Sequence, residues 1–386
     1  QGARQVGKTW LMKEFGAREY ASVLYVNFDH DSWAKQLFVQ DYDMDRILLF
    51  LQAHTGIKVE AGKTLIILDE IQEAERGLGA LKYFCEDAPE QHVVAAGSLF
   101  GIAMHQGVSY PVGKVNMLTL HPMTFEEFLL ALGEDMKVDI LKKRDWELLR
   151  SLDVVFQDLL RQYYYVGGMP EAVLSFVAHR DLSDVRRIQR EIITAYRNDI
   201  SKHAPANDIP RINMVLDSIP AQLAKENKKF IYGAMRPGAR AKDFELAIQW
   251  LIDAGIVTRI YRTKEPSMPL KFYEDMSAFK LFLCDCGLLG CLAEVPASLV
   301  ITSNTIFKEY KGAFSENYVL QQIKSVGDYD VCYYNKDNST MEVDFLVQTP
   351  ARIIPVEVKA EENVHSKSLK TFIEKNPNLT AIRLSM

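Results

Sequence analysis

The chain has 386 residues with a formal net charge of −6; 48% of its residues are hydrophobic and 25% charged. That composition excludes a disordered tail, a collagen or a mucin-like stalk, and the length suits roughly two to three domains with cores of their own. The net acidity excludes a whole-surface attraction to nucleic acid but leaves room for a local basic patch.

Uncharged apolar stretches such as Val93–Met104 fall short of the ~18–20 residues that cross a bilayer. No basic segment followed by an apolar one opens the chain, so neither secretion nor a membrane partner is expected. The five cysteines, Cys85, Cys284, Cys286, Cys291 and Cys332, are an odd number in a long chain and do not read as a disulfide framework. The Cys284–Cys291 group lacks the C-x2-C spacing of structural zinc. Reduced thiols in apolar surroundings, and hence a cytoplasmic location, are the expectation.

Residues 1–16 read as a loop followed by a helix. Val23–Phe28 predicts a strand, and Met44–His54 carries apolar residues at helical spacing. Thr64–Asp69 is a continuous apolar run ending in an acid, as suits a parallel strand buried on both faces. Gly79–Asp87 reads as a helix and His92–Gly97 as another buried strand. This alternation predicts an α/β fold with a parallel sheet. The glycine-containing run Gly2–Thr9, of the form G-x-x-x-x-G-K-[ST], needs a strand in front of it, so a chain opening at Gln1 reads as a fragment lacking at least one strand.

From Leu118 the pattern turns helical, with helices predicted over Phe125–Ala131, Arg144–Tyr165 and Asp181–Lys202 and breaks at Gly167–Gly168 and Pro170. Pro210–Glu226 and Ala239–Ala254 follow as helices, the second closed by Gly255. Ile256–Arg262 and Leu270–Tyr273 then predict a hairpin, and helix, helix, hairpin is the order of a winged helix. In the last segment Ser315–Lys324 reads as a helix capped by Ser315, Val331–Tyr334, Glu342–Val347 and Ile353–Lys359 as strands, Ser366–Lys375 as a helix, and Thr380–Met386 as the start of a strand. The expected division is a P-loop domain at 1–120, a helical lid region at 121–204, a winged-helix-like module at 205–292 and a mixed α/β domain at 293–386.

Gly2-Ala3-Arg4-Gln5-Val6-Gly7-Lys8-Thr9, running into Trp10, matches G-x-x-x-x-G-K-[ST] in full. Glycines let backbone N–H groups curl round phosphates, and the helix that follows adds its positive end. Lys8 is expected on the β- and γ-phosphates of ATP and the Thr9 hydroxyl on Mg2+. Asp69 and Glu70, closing the apolar strand, are the expected Mg2+ partner and the base that activates water. Ser98, at the end of the next strand, is the expected γ-phosphate sensor. A glycine turn and a strand-capping acid pair without ligand is the plainer alternative.

This stretch resembles the AAA-type P-loop ATPases, and with Leu68-Asp-Glu-Ile-Gln72 and Ala96-Gly-Ser98 it looks like a widespread prokaryotic group of ATP-binding proteins that carry a C-terminal domain of unknown function. Leu120-His-Pro-Met-Thr-Phe-Glu-Glu-Phe128, Tyr165-Val-Gly-Gly-Met-Pro170 and Asp285-Cys-Gly-Leu-Leu289 extend the resemblance along nearly the whole chain. It implies a sensor strand placing Ser98 beside Lys8 and Asp69. Sites of this type often borrow an arginine; Arg197 is the candidate, with a salt bridge to Asp199 as the plainer role. The Arg4 side chain is expected to point outward.

Asp344, twelve residues and then Glu357-Val-Lys359 form a second constellation. Strand alternation puts Glu357 and Lys359 on one face, and a hairpin would bring Asp344 beside Glu357. Such hard oxygen ligands suit Mg2+ or Mn2+. The arrangement resembles the PD-(D/E)XK nuclease-like fold, with Glu316 on the preceding helix matching the acid that many members add. The alternative is an inherited nuclease fold serving as an inert docking domain. Between Arg211 and Asp275 eleven Lys/Arg face eight Asp/Glu, a small local excess compatible with phosphate contacts. Arg236, Arg240 and Lys242 flank the second helix start, and Arg259, Arg262, Lys264 and Lys271 lie on the hairpin. The combined reading is an Mg2+-dependent ATPase, with Lys8, Glu70 and Ser98 in its site, coupled to a nuclease-like domain that cuts or binds nucleic acid. The alternative is an ATP-dependent switch that binds a protein partner or a second copy of itself.

Overall fold

The computed structural model describes residues 1–97, 101–102, 113–225, 228–301, 308–336, 341–359 and 367–385. They form two compact units, Gln1–His121 with Asp253–Gly255, and Pro122–Ile252 with Ile256–Met386. All five cysteines are free thiols, four of them wholly or partly buried and Cys85 exposed. Among the described residues no helix is long and apolar enough to cross a membrane.

The first unit is a parallel sheet of β1 (Ser22–Asn27), β2 (Thr64–Asp69) and β3 (His92–Ala96), with β2 in the middle. Every residue of β2 is buried, because both faces of the strand are covered. Leu65 and Ile67 pack with Met12 of α1 (Lys8–Glu19). Ile66 and Leu68 pack on the other face with Ile47 and Leu51 of α2 (Met44–Thr55) and Leu78 and Phe84 of α3 (Gly77–Asp87). Each such side chain contributes about 1.5–3 kcal/mol of burial, so an uninterrupted apolar run is what this position demands. The expected parallel α/β arrangement is the one observed.

The second unit combines helices with a six-stranded sheet. Its first helices are α4 (Phe125–Ala131), α5 (Asp135–Lys143), α6 (Trp146–Ser151), α7 (Asp153–Val166), α8 (Pro170–His179), α9 (Leu182–His203), α10 (Ile209–Leu223) and α11 (Ala241–Asp253). Thr124 and Glu127 close a capping box on α4. The single helix expected over Arg144–Tyr165 is two, because the Asp145 side chain caps α6 and the backbone turns at Leu152. Then come β4 (Val257–Thr263), β5 (Glu274–Leu283), α12 (Cys286–Leu292), α13 (Ala297–Ile301), α14 (Lys308–Val326), β6 (Asp330–Asn335), β7 (Glu342–Gln348), β8 (Ile353–Lys359), α15 (Lys367–Lys375) and β9 (Ile382–Ser385).

The hairpin differs from its expectation. Leu270–Tyr273 is a turn of 3-10 helix and the second strand starts at Glu274. Leu270 is fully buried and its N–H donates to Gln348 Oε1 at 2.7 Å, which spends the group a strand would have used. Nor does the hairpin stand alone as a wing. The sheet order is β5-β4-β6-β7-β8-β9, with β4 parallel to β6 through Arg262–Tyr333 and Thr263–Tyr334. Hairpin and C-terminal strands are one sheet.

The glycines at 167 and 168 fix how this unit closes. Gly167 has φ 76° and a Cβ there would lie 2.2 Å from Asp285 Oδ2, while a Cβ on Gly168 would lie 2.1 Å from the Met123 carbonyl oxygen. Asp285 is wholly buried and accepts from the N–H groups of Gly168 (2.6 Å) and Leu288 (3.0 Å) and from Gln321 Nε2 (3.2 Å). Gly167→Ala combines left-handed strain with a collision that buried structure cannot relieve, and is expected to lower stability by about 2–4 kcal/mol in urea unfolding of the whole chain.

Candidate active site

The glycine loop is built as its residue types require. Gly2 has φ 141°, Gln5 67° and Gly7 94°, and the loop is pinned beneath by Ala3 and Val6, each 3% exposed. Gly7 precedes α1 with no side-chain cap, which leaves the first-turn N–H groups of the helix for an anion. Lys8 Nζ bends back to donate to the carbonyls of Gly2 (2.9 Å) and Ala3 (2.8 Å). Arg4 is exposed, as expected, and the Trp10 ring is 66% exposed. The backbone before the loop is held by Leu120 N–H donating to the Gln1 carbonyl at 2.8 Å.

The end of β2 delivers its acids to this loop. Thr9 Oγ1 donates to Asp69 Oδ2 at 2.7 Å, and Asp69 is 2% exposed. Glu70 follows in a left-handed conformation, φ 52°, which turns its partly buried side chain away from the strand line. Gln72 Nε2 donates to its Oε2 at 2.6 Å. A hydroxyl and a carboxylate in contact at the mouth of a phosphate loop are hard oxygen donors of the kind Mg2+ takes alongside nucleotide phosphates, so these residues fit the ion. Ser98 lies outside the described residues.

Two residues here escape a motif search. The Tyr25 hydroxyl donates to Asp69 Oδ2 at 3.0 Å, and Asn27 Nδ2 donates to that hydroxyl at 3.2 Å. Burial, with the Asp69 and Glu70 charges, raises the Tyr25 pKa despite the opposing Asn27 contact. Lys13 Nζ sits 3.6 Å from the centroid of the Tyr25 ring. The available signal was position: Tyr25 and Asn27 are two apart on β1, with Asn27 in register with Asp69.

The C-terminal acids do converge. β7 and β8 pair antiparallel with Phe345 opposite Val356, which sets Asp344 opposite Glu357, and Asp344 Oδ2 accepts from Val358 N–H at 2.8 Å. Glu316 and Glu357 are 3% and 2% exposed. Burial first, then the charges of Glu316 and Glu357, push the Asp344 carboxyl well above the carboxylate range against the pull of Lys280. Burial also works against ionisation of Glu316, but Lys280 and Lys228 overcome it and hold that carboxyl low, helped by a hydrogen bond with Asp344. The lysines are close: Lys228 contacts Glu316, Lys280 Nζ lies 2.7 Å from Glu342 and 3.6 Å from Glu316, and Lys359 Nζ lies 2.5 Å from Glu357. Among the described residues no group of three or more His, Cys, Asp or Glu is arranged to hold a metal ion. Glu316, Asp344 and Glu357, the expected Mg2+ or Mn2+ ligand set, are gathered beside the ammonium groups of Lys228, Lys280 and Lys359.

The basic residues of the middle segment are largely matched. Arg259 pairs with Glu245 at 2.9 Å, Arg262 with Asp275 at 2.5 Å and Lys271 with Asp330 at 3.0 Å. Lys264 also approaches Asp275, at 3.8 Å, and Arg236 stacks over the Phe244 ring. Arg197 pairs with Asp217 of α10 at 2.7 Å; Asp199 itself is buried.

This geometry is that of a Walker-type P-loop, and residues 1–129 match the family described as AAA domain. The N-terminal part of the chain is thus similar to AAA-type P-loop domains. Residues 157–299 match a domain of unknown function (DUF8612) and residues 311–384 another (DUF4143). Among solved structures, the Walker-type ATPase of Pyrococcus abyssi aligns with 12% identity and a TM-score of 0.46 over 76% of this chain and 89% of that one. No curated protein matches the chain.

Lys280 is 1% exposed, so its removal leaves buried acids uncompensated. Lys280→Ala is expected to cost about 3–5 kcal/mol in urea unfolding, with Lys280→Arg recovering part of it.

Proposed function

We propose that this chain binds Mg2+·ATP on the Gly2–Thr9 loop and hydrolyses it. The observation that carries this reading is the Thr9 hydroxyl resting on the Asp69 carboxylate beside a lysine folded over the loop. The phosphates take over the Lys8 ammonium from the Gly2 and Ala3 carbonyls. Backbone N–H groups of the loop and of α1 receive the phosphate oxygens. Thr9 and Asp69 would hold the ion, which supplies charge neutralisation at the β- and γ-phosphates. Glu70 orients the attacking water and takes its proton, with Gln72 holding the carboxylate.

The proposal extends to a nuclease-like C-terminal fold that engages nucleic acid, with ATP turnover controlling that engagement. In support, α14, β6, β7, β8, α15 and β9 follow in the order helix, three strands, helix, strand, and Asp344, Glu357 and Lys359 meet at one spot. The ion pairs on Glu316 and Glu357 favour a second reading, in which this domain is catalytically inert and the protein is an ATP-dependent switch for a protein partner or a second copy.

Lys8→Ala is expected to abolish binding of a fluorescent ATP analogue; retained tight binding would remove the loop from the site. Glu70→Gln is expected to keep binding while lowering phosphate release by roughly 10²–10⁴-fold. Incubation of linear and single-stranded DNA with Mg2+ or Mn2+, with and without ATP, separates the two C-terminal readings. Cutting that is lost in Asp344→Ala and Lys359→Ala establishes a nuclease. Intact ATP hydrolysis with no cutting and no salt-dependent DNA binding establishes the switch.

A further inference from the structure

Tyr25 and Asn27 are two polar side chains on β1 that reach toward the Asp69 carboxylate. Their hydrogen bonds have a single consistent direction. Asn27 Oδ1 accepts from the backbone N–H groups of Asp29 (2.9 Å) and His30 (3.3 Å). Those donors fix the amide, so the other arm of Asn27 is the NH2 group, and it donates to the Tyr25 oxygen at 3.2 Å. The Tyr25 proton must then point to its remaining partner, Asp69 Oδ2, at 3.0 Å. The same carboxylate oxygen also accepts from Thr9, at 2.7 Å.

We infer that Tyr25 and Asn27 are positioning residues for the metal-nucleotide step, forming a one-way relay from the turn after β1 to the Asp69 carboxylate. This deepens the proposed Mg2+·ATP reading and rests on it. Thr9 is the donor that has to leave Asp69 when its hydroxyl turns to an ion. Tyr25 is the donor that stays, and it holds the carboxylate in the orientation in which it faces the loop. Its ring is held in place by the Lys13 ammonium against its face. Without Tyr25, Asp69 would lose its fixed partner at the moment Thr9 departs.

The test measures equilibrium binding of a fluorescent ATP analogue to the full chain, without metal and across an Mg2+ titration. Tyr25→Phe keeps the ring and removes the donor. Asn27→Asp keeps an acceptor for Asp29 and His30 but presents Tyr25 with a second acceptor, which draws the phenol proton away from Asp69. Both variants are expected to bind the analogue without metal as the parent does, and to need about tenfold more Mg2+ for the metal-enhanced phase. In the double variant the two effects should not add, because each breaks the same relay. An unchanged Mg2+ midpoint in Tyr25→Phe, or simple additivity in the double variant, would overturn the relay. Loss of metal-free binding in both variants would overturn it too, by showing that they disturb the loop itself. A parent chain that binds no nucleotide would instead sink the ATP reading on which the relay rests.

Discussion

The second unit depends on one buried cation. An ammonium group taken out of water costs several kcal/mol unless opposite charge accompanies it, and Lys280 is 1% exposed. Its partners come from two different elements, Glu316 on α14 and Glu342 on β7, and the Tyr333 ring of β6 lies 4.8 Å from Nζ. The lysine itself is on β5. The seam between hairpin and C-terminal strands is narrow, two residue pairs between β4 and β6. Charge compensation at Lys280, with the Leu270 bond to Gln348, supplies what that short ladder does not. Hairpin, α14 and β7 are therefore obliged to fold together.

A second constraint joins three stretches far apart in the chain. Asp285 receives the Gly168 N–H, the Met123 N–H donates to the Gly168 carbonyl at 2.7 Å, and the Tyr163 hydroxyl donates to the Met123 carbonyl at 2.5 Å. Gln321 of α14 then donates to both Tyr163 and Asp285. Buried polar groups are tolerated only when nearly all are satisfied. Here the satisfaction is possible because glycine lets the backbones touch: a Cβ on Gly287 would lie 2.5 Å from the Val166 carbonyl oxygen. The segments around Met123, Gly167–Gly168 and Asp285, legible as motifs, thus pack together in this unit.

What could be read in advance follows from how local each determinant is. The loop 2–9, the buried strand 64–69 and the hairpin of Asp344 against Glu357 are set by short-range rules, periodicity and glycine spacing, and all three are found as expected. The second hairpin strand was misplaced because Leu270–Tyr273 is apolar enough for a strand, while the bond that turns it into a 3-10 segment comes from Gln348, which is remote in sequence. The single sheet was hidden for the same reason, since nothing near β4 announces its partner β6. Tyr25 went unmarked because one tyrosine on an amphipathic strand becomes informative only once its neighbour in the sheet is Asp69.

The two acid sites also differ in how their charge is balanced. Asp69 is held by neutral donors, the hydroxyls of Thr9 and Tyr25. Neutral donors leave its charge uncancelled, and a hydroxyl can turn from a carboxylate to a cation with little loss. Glu316 and Glu357 are held by ammonium groups, and burial beside these acids pushes the Asp344 carboxyl up. A divalent ion entering there must displace full charges from a poorly solvated place, where each released ammonium needs a new partner. Asp69 thus meets its neighbours through neutral hydroxyls, whereas Glu316 and Glu357 meet theirs through full charges.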